Sequence, residues 1–392
     1  MFIERQIYPS LKSHLTKKQI TVITGMRRTG KTTLAKQLLS EVKSSNKAYF
    51  DLERFDIREL FAEKNFDNIV KSLTDRGLDF SKKVNLVIDE IQLVPEIASV
   101  LKYLYDNYQI KFITTGSSSY YLKHLFSESL AGRKKIFEIY PLSFSEYLTF
   151  NNISFNKTDF VEQKFSSSEF ERLKNYYEDY IKFGGFPEVV LATNRSDKTD
   201  LISDILSSYI NIDIKTLADF RSDKNISNLL KMLASRVGSR LDYAKLSRLT
   251  GMSRPTIQSY IDFFEKTYLI KRISVLSKQP DREIVKAQKL YFCDNGFLNL
   301  LAEVSSGAQF ENAIFNQIHQ LGKINYYALK TGKEVDFILN ENLALEIKES
   351  PIDFDLTNLI DLTKSIRISK SRLVGRNPVP NFTDYIWGGE VH

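Results

Sequence analysis

Short apolar runs closed by small or acidic residues recur along the first third of the chain, alternating with stretches whose apolar positions return every three or four residues. The runs are Ile20-Thr21-Val22-Ile23-Thr24, Lys47-Ala48-Tyr49-Phe50-Asp51, Val84-Asn85-Leu86-Val87-Ile88-Asp89 and Ile110-Lys111-Phe112-Ile113-Thr114. Between the last two, Leu93, Ile97, Val100, Leu101, Leu104 and Tyr105 keep close to the period of a helix packed on a sheet. Residues 56–80 also read as helical. Strands alternating with helices specify an α/β fold with a parallel, doubly wound sheet.

Further along, the pattern changes. From about 150 to 225 it is helical and polar, with Ser166-Ser167-Ser168-Glu169 reading as a helix start and Gly184-Gly185-Phe186-Pro187-Glu188 as a tight, proline-stiffened turn. Leu241 to Ile261 gives a helix, a turn at Gly251 and a Ser-capped helix with Pro255 in its first turn, followed by the strand-like run Tyr268 to Val275. The last hundred residues give an amphipathic helix over Phe310 to Ile318, a strand at Ile324 to Ala328 and a hairpin of Glu334 to Leu339 with Leu343 to Lys348.

The chemistry begins at Gly25-Met26-Arg27-Arg28-Thr29-Gly30-Lys31-Thr32-Thr33, where a β-branched strand enters a glycine-bounded loop and Gly-Lys-Thr opens a helix. This is the phosphate-binding loop pattern in its required strand-to-helix setting. Lys31 reaches the β- and γ-phosphates of a nucleotide, the Thr32 hydroxyl takes a Mg²⁺ position, and the helix N-terminus favours the anion. The third run ends in Asp89 and Glu90. Asp89 is placed to hold Mg²⁺ through water, and Glu90, one residue on and pointing the other way, to polarise an attacking water. The fourth run ends in hydroxyls, and Thr115, Ser117 or Ser118 senses the γ-phosphate or orients the water.

With Gly25 to Thr32, Leu86-Val87-Ile88-Asp89-Glu90-Ile91-Gln92 and Thr115-Gly116-Ser117-Ser118-Ser119, the first half resembles the AAA+ ATPases. More narrowly, the chain resembles prokaryotic ATPases whose AAA core precedes a C-terminal region of the DUF4143 type. Gly132-Arg133, Tyr140-Pro141-Leu142-Ser143-Phe144-Ser145-Glu146-Tyr147 and Gly184 to Glu188 extend the likeness over the whole chain. The resemblance implies an ATPase core over 1–150, a helical lid over 151–225, a winged helix over 226–285 and a nuclease-like domain over 286–392. Where AAA+ proteins usually carry a sensor asparagine, this chain has hydroxyl residues. The resemblance also sets residues Ile7 to Leu11 against the adenine base. Arg133, on a loop before a strand, is a candidate for neutralising phosphate charge within the chain or across a subunit boundary, and Arg195 or Arg221 for a lid contact.

In the winged-helix reading, Ser253, Arg254, Thr256, Gln258 and Ser259 lie at the exposed start of a recognition helix suited to DNA, or else to a protein partner. The C-terminal pattern resembles the restriction-endonuclease-like fold of PD-(D/E)xK nucleases. Glu311 matches its helix acid, Asp336 its metal aspartate, and Glu346 and Lys348 its remaining pair, although Val335 stands where that motif carries proline. Glu346 and Lys348 share a strand face. Two carboxylates and a lysine suit Mg²⁺-dependent phosphodiester cleavage, or DNA binding by a domain that no longer cuts.

At 392 residues, 42% hydrophobic and 26% charged, the chain has the make-up of a multidomain globular protein. Cys293 is the only cysteine and there are four histidines, which argues against a disulfide framework or a Cys/His zinc site. A net charge of +7 suits a polyanion or simply a lysine-rich surface. The apolar runs are too short to span a membrane, and a cytoplasmic location is the expectation.

Overall fold

Strand β1, Ile20–Gly25, is buried along its whole length and pairs in parallel with β4, Ile110–Gly116, on one side and β5, Lys134–Ile139, on the other. On the far side of β4 lie β3, Val84–Asp89, and then β2, Lys47–Asp51, giving the all-parallel order β2-β3-β4-β1-β5. Alternate residues of these strands feed two apolar layers. Val22, Leu86, Ile88 and Phe112 face α5, Ile97–Asn107, at Leu101 and Leu104, together with α3, Phe55–Phe61, and α4, Phe66–Asp75. Ile23, Val87 and Ile113 face the other way, onto Leu11 of α1, Tyr8–His14, and onto Leu34, Ala35 and Leu38 of α2, Lys31–Glu41.

The computed structural model describes residues 2–117, 130–156, 159–214, 223–277, 287–329 and 331–392. It divides into two units, Met1–Tyr140 with Lys266–Tyr268, and Pro141–Glu265 with Leu269–His392. Ser118 and Arg221, both named above as candidates, lie outside the described residues.

The second unit holds the helices α6 Phe144–Phe150, α7 Ser167–Phe183, α8 Pro187–Leu191, α9 Arg195–Ser208, α10 Asp223–Ala234, α11 Tyr243–Thr250, α12 Arg254–Lys266, α13 Asn295–Leu301, α14 Ser306–Ile318 and α15 Asp353–Ile366. Its strands are β6 Ile270–Val275, β7 Lys289–Phe292, β8 Ile324–Ala328, β9 Glu334–Leu339, β10 Leu343–Lys348, β11 Lys370–Gly375 and β12 Ile386–Trp387, in the order β12-β11-β10-β9-β8-β6-β7. The strand-like run Tyr268 to Val275 contains β6. It pairs antiparallel with β7 and parallel with β8, inside this mixed sheet.

The turn Gly184-Gly185 is fixed within the second unit. Leu142 N donates to Gly185 O at 2.7 Å, and Gly185 N donates to the buried Asp294 Oδ2 at 2.7 Å. A Cβ on Gly184 would sit 2.2 Å from Asp294 Oδ1, and one on Gly185 2.2 Å from Leu142 O, so no side chain fits at either position. Arg195 pairs with Asp179 at 3.3 Å. Cys293 is buried, and among the described residues no helix is long and apolar enough to cross a membrane.

Candidate nucleotide site

The loop leaving β1 is shaped by its glycines. A Cβ on Gly25 would lie 2.1 Å from Ile139 O on the adjacent strand, and Gly30, with φ +94, caps α2 in a left-handed conformation. Lys31 is buried and folds back to donate to Met26 O at 2.9 Å, while Thr29 Oγ1 donates to the same carbonyl at 2.8 Å. Arg27 lies 3.9 Å from Glu53, and Arg28 and Thr33 are exposed. Arg5 braces the loop from beneath, donating to Thr29 O at 3.0 Å and to Tyr140 O at 2.9 Å from a buried position.

Asp89 closes β3 beside this loop. Its Oδ2 accepts from the Thr32 hydroxyl at 2.8 Å and from the Tyr49 hydroxyl at 2.6 Å, and its Oδ1 accepts from Thr115. Thr32, Asp89 and Thr115 therefore meet at the C-terminal edge of three adjacent strands, the usual ligand edge of a parallel sheet. Burial and the neighbouring Asp89 carboxylate push the Tyr49 hydroxyl well above its ordinary range, so it stays a donor.

Glu90 departs from the strand alternation expected of it. β3 ends at Asp89, and Glu90 has φ +57, a left-handed conformation that costs a non-glycine residue about 1 kcal/mol or more and recurs at functional sites. Its backbone N–H donates to Thr115 Oγ1 at 3.1 Å, and its carboxylate accepts from the side-chain amide of Gln92. The same Gln92 nitrogen donates to the buried Ser117 Oγ at 3.0 Å. Thr115 and Ser117 thus both border Glu90, one through backbone and one through Gln92.

Arg133 stands apart. It immediately precedes β5 and its carbonyl accepts from Ile20 N, which sets it at the strand-entry edge of the sheet. The six residues of β5 separate it from Ile139 at the loop edge, about 20 Å at about 3.3 Å per residue. Its guanidinium makes two bonds to Asp106, at 3.0 and 3.1 Å.

In the second unit Glu311, Asp336, Glu346 and Lys348 fall close to one another at the β9–β10 hairpin and α14. Asp336 Oδ2 accepts from Ile347 N at 2.9 Å, Lys348 Nζ donates to Glu346 Oε1 at 2.8 Å, and Tyr291 donates to Glu311 Oε1 at 2.6 Å. Burial, with Asp336 nearby, pushes both Glu311 and Glu346 up to about 7. Among the described residues no three acids, histidines or cysteines are gathered as metal ligands. Glu311, Glu334 and Asp336 instead surround Lys289, a residue that no motif singled out.

At the helical pair, Arg254, Gln258 and Ser259 are exposed along the start of α12, as is Ser253, whose hydroxyl caps it. Arg272 on β6 turns inward, paired with Asp262 at 2.8 Å and with Glu265.

The AAA domain family matches residues 17–148, and a domain of unknown function, DUF8612, matches residues 174–308, where the motif order pointed to the DUF4143 type. The chain is 29% identical over 335 residues to the uncharacterized protein MJ1544 of Methanocaldococcus jannaschii, covering 83% of this chain and 73% of that protein. It is 27% identical over 376 residues to an uncharacterized protein of Haemophilus influenzae, covering 89% and 88%. Similar solved structures include the ORC2 protein of Aeropyrum pernix in its ADP form, with TM-score 0.40, 13% identity and coverage of 74% of this chain and 90% of that one. The RuvB Holliday junction branch migration motor of Thermotoga maritima gives TM-score 0.34, 16% identity and coverage of 69% and 90%. The family match falls on the parallel sheet that carries the glycine loop, Lys31, Thr32 and Asp89, so the similarity of residues 17–148 to the AAA domain family coincides with the candidate nucleotide site.

Proposed function

We propose that the first unit binds ATP with Mg²⁺ and hydrolyses it. The observation that carries this reading is the 2.8 Å bond from Thr32 Oγ1 to Asp89 Oδ2, which joins the phosphate-loop helix to the acid-bearing strand, with Glu90 next in the chain. The loop backbone and Lys31 cradle the phosphates, Lys31 exchanging its bond to Met26 O for phosphate oxygens. Thr32 and Asp89 offer a hydroxyl and a carboxylate of the hard-oxygen kind that Mg²⁺ takes. Bound there, Mg²⁺ supplies neutralisation of charge on the phosphate oxygens. Glu90 accepts a proton from the attacking water, held toward it by Gln92, and Thr115 and Ser117 fix the surrounding hydrogen bonds. Arg133, a strand's length from its own loop, can serve a phosphate only on a neighbouring subunit. Phosphate release by the full chain with Mg²⁺ tests the reading: turnover lost in Lys31→Ala supports it, and equal turnover in that variant rejects it.

Nucleotide state is then coupled to the second unit, which acts on DNA. Exposed Arg254, Gln258 and Ser259 on α12 favour a nucleic acid over an apolar partner surface, although inward-facing Arg272 removes one basic contact from the strand that follows. Stimulation of ATP turnover by duplex or single-stranded DNA is expected, and its absence with an active enzyme favours a protein partner. A second activity, metal-dependent strand cleavage, is favoured by the meeting of Glu311, Asp336, Glu346 and Lys348. Nicking of plasmid with Mn²⁺ that disappears in Asp336→Ala supports cleavage. No nicking by wild type and by Lys289→Met alike, the latter lacking the ammonium among these acids, supports a switch that binds without cutting.

A further inference from the structure

Besides Lys348, which pairs with Glu346, a second ammonium stands among these acids of the second unit. Lys289, on β7, has a side chain only 5% exposed, and its ammonium contacts Glu334 Oε1, lies 3.7 Å from Glu311 Oε1 and 3.8 Å from Asp336 Oδ1. A divalent ion draws its oxygen ligands in to about 2.0–2.6 Å, and with Lys289 in place the acids among the described residues are not gathered as a metal site. Beside them Glu346 Oε2 is buried with no hydrogen-bond partner among the described residues, an acceptor left open at the same place.

The backbone keeps Lys289 there. Gly238 N donates to Leu290 O at 2.9 Å and Leu241 N to Gln288 O at 2.8 Å, so the loop between α10 and α11 is laced along β7 on both sides of Lys289. Arg240 of that loop takes the other oxygen of Glu334 at 2.8 Å and lies over the Tyr326 ring. Gly238, with φ +72, lies against Glu311, where a Cβ would come 3.1 Å from its Oε1.

We propose that Lys289 is a built-in occupant of this carboxylate site, so that a divalent cation binds only as Lys289 leaves, and that the loop preceding α11 sets whether it does. The inference rests on the cleavage reading for the use of the site, but its test is separate from cleavage. A buried ammonium and a dication cannot share acids a few ångströms apart without repulsion that a low-dielectric interior magnifies. The site is therefore self-inhibited in this conformation, and movement of the helix-turn-helix side of the unit would release it.

Mn²⁺ binding to the full chain without nucleotide, followed by the electron paramagnetic resonance of free Mn²⁺, is the test. Wild type is expected to show no Asp336-dependent binding below about 1 mM, while Lys289→Met binds at least about tenfold more tightly and Lys289→Met with Asp336→Asn loses that gain. If Lys289→Met does not fold, Lys289→Gln, similar in length and uncharged, replaces it. Asp336-dependent binding by wild type below about 0.1 mM overturns the inference whatever either variant does. So does a folded Lys289 variant that binds no better than wild type. Tight binding by the variant without nicking of plasmid keeps the inference and rejects cleavage, and tight binding by wild type with nicking does the reverse.

Discussion

Gln92 donates its side-chain amide to the carboxylate of Glu90, two residues earlier, and the same nitrogen reaches Ser117 Oγ at 3.0 Å. The acid proposed to activate water is thereby tied to the end of β4, the strand lying between β3 and β1. Glu90 is held by its own left-handed backbone at one end and by Gln92 at the other.

Gln92→Ala leaves the backbone of Glu90 in place but frees its carboxylate. Turnover is expected to fall about tenfold or more, with the KM for ATP changed less than about twofold, because the bond lost positions the base and does not bind phosphate. Steady-state phosphate release checks it. An unchanged kcat removes Gln92 from the account.

Arg5 acts on the loop from the other side. Arg5→Ala removes two bonds from a buried guanidinium to Thr29 O and Tyr140 O, leaving both carbonyls short of a donor at a cost of about 1–3 kcal/mol each. Affinity for a fluorescent ATP analogue is expected to drop about tenfold, with the phosphate loop more open to proteolysis. Full affinity would show that the loop holds its shape without this brace.

The Gly184-Gly185 turn makes stability depend on pH. Burial pushes Asp294 up to about 7, against the pull of the backbone N–H groups of Gly185, Gly296 and Phe297. A carboxyl raised above its unfolded value of about 3.8 contributes stability that is complete below that value and lost as pH rises through the folded value. The unfolding temperature of the second unit is therefore expected to decline between about pH 4 and 7. Half-buried Glu390, also raised to about 7, adds in the same direction. Asp294→Asn should flatten part of this slope in calorimetric scans at stepped pH, and an identical slope would assign it elsewhere.

Much of the candidate nucleotide site is legible in the sequence because its signals are local. The spacing of Gly25, Gly30 and Lys31, and an apolar run ending in Asp89-Glu90, declare a loop and an acid-bearing strand without knowledge of the fold. Arg5, Tyr49 and Gln92 were not legible in their roles. Arg5 meets a backbone carbonyl, which no residue pattern marks, and Tyr49 meets Asp89 only because β2 lies against β3. Strand alternation does not reach Glu90, since the strand stops one residue earlier. Arg133 looked suited to phosphate by residue type and loop position, yet the parallel pairing of β5 with β1 carries it to the opposite edge. Lys289 was missed for a related reason: it faces Asp336 and Glu334 across a sheet whose order, β9-β8-β6-β7, is not the order of the chain.

ATP hydrolysis with Glu90 as the base is tested by comparing wild type with Glu90→Gln in ATP binding and in phosphate release. Glu90→Gln is expected to keep its affinity for ATP, through an intact Lys31, Thr32 and Asp89, while release falls by about a hundredfold or more. Release at the wild-type rate would contradict it.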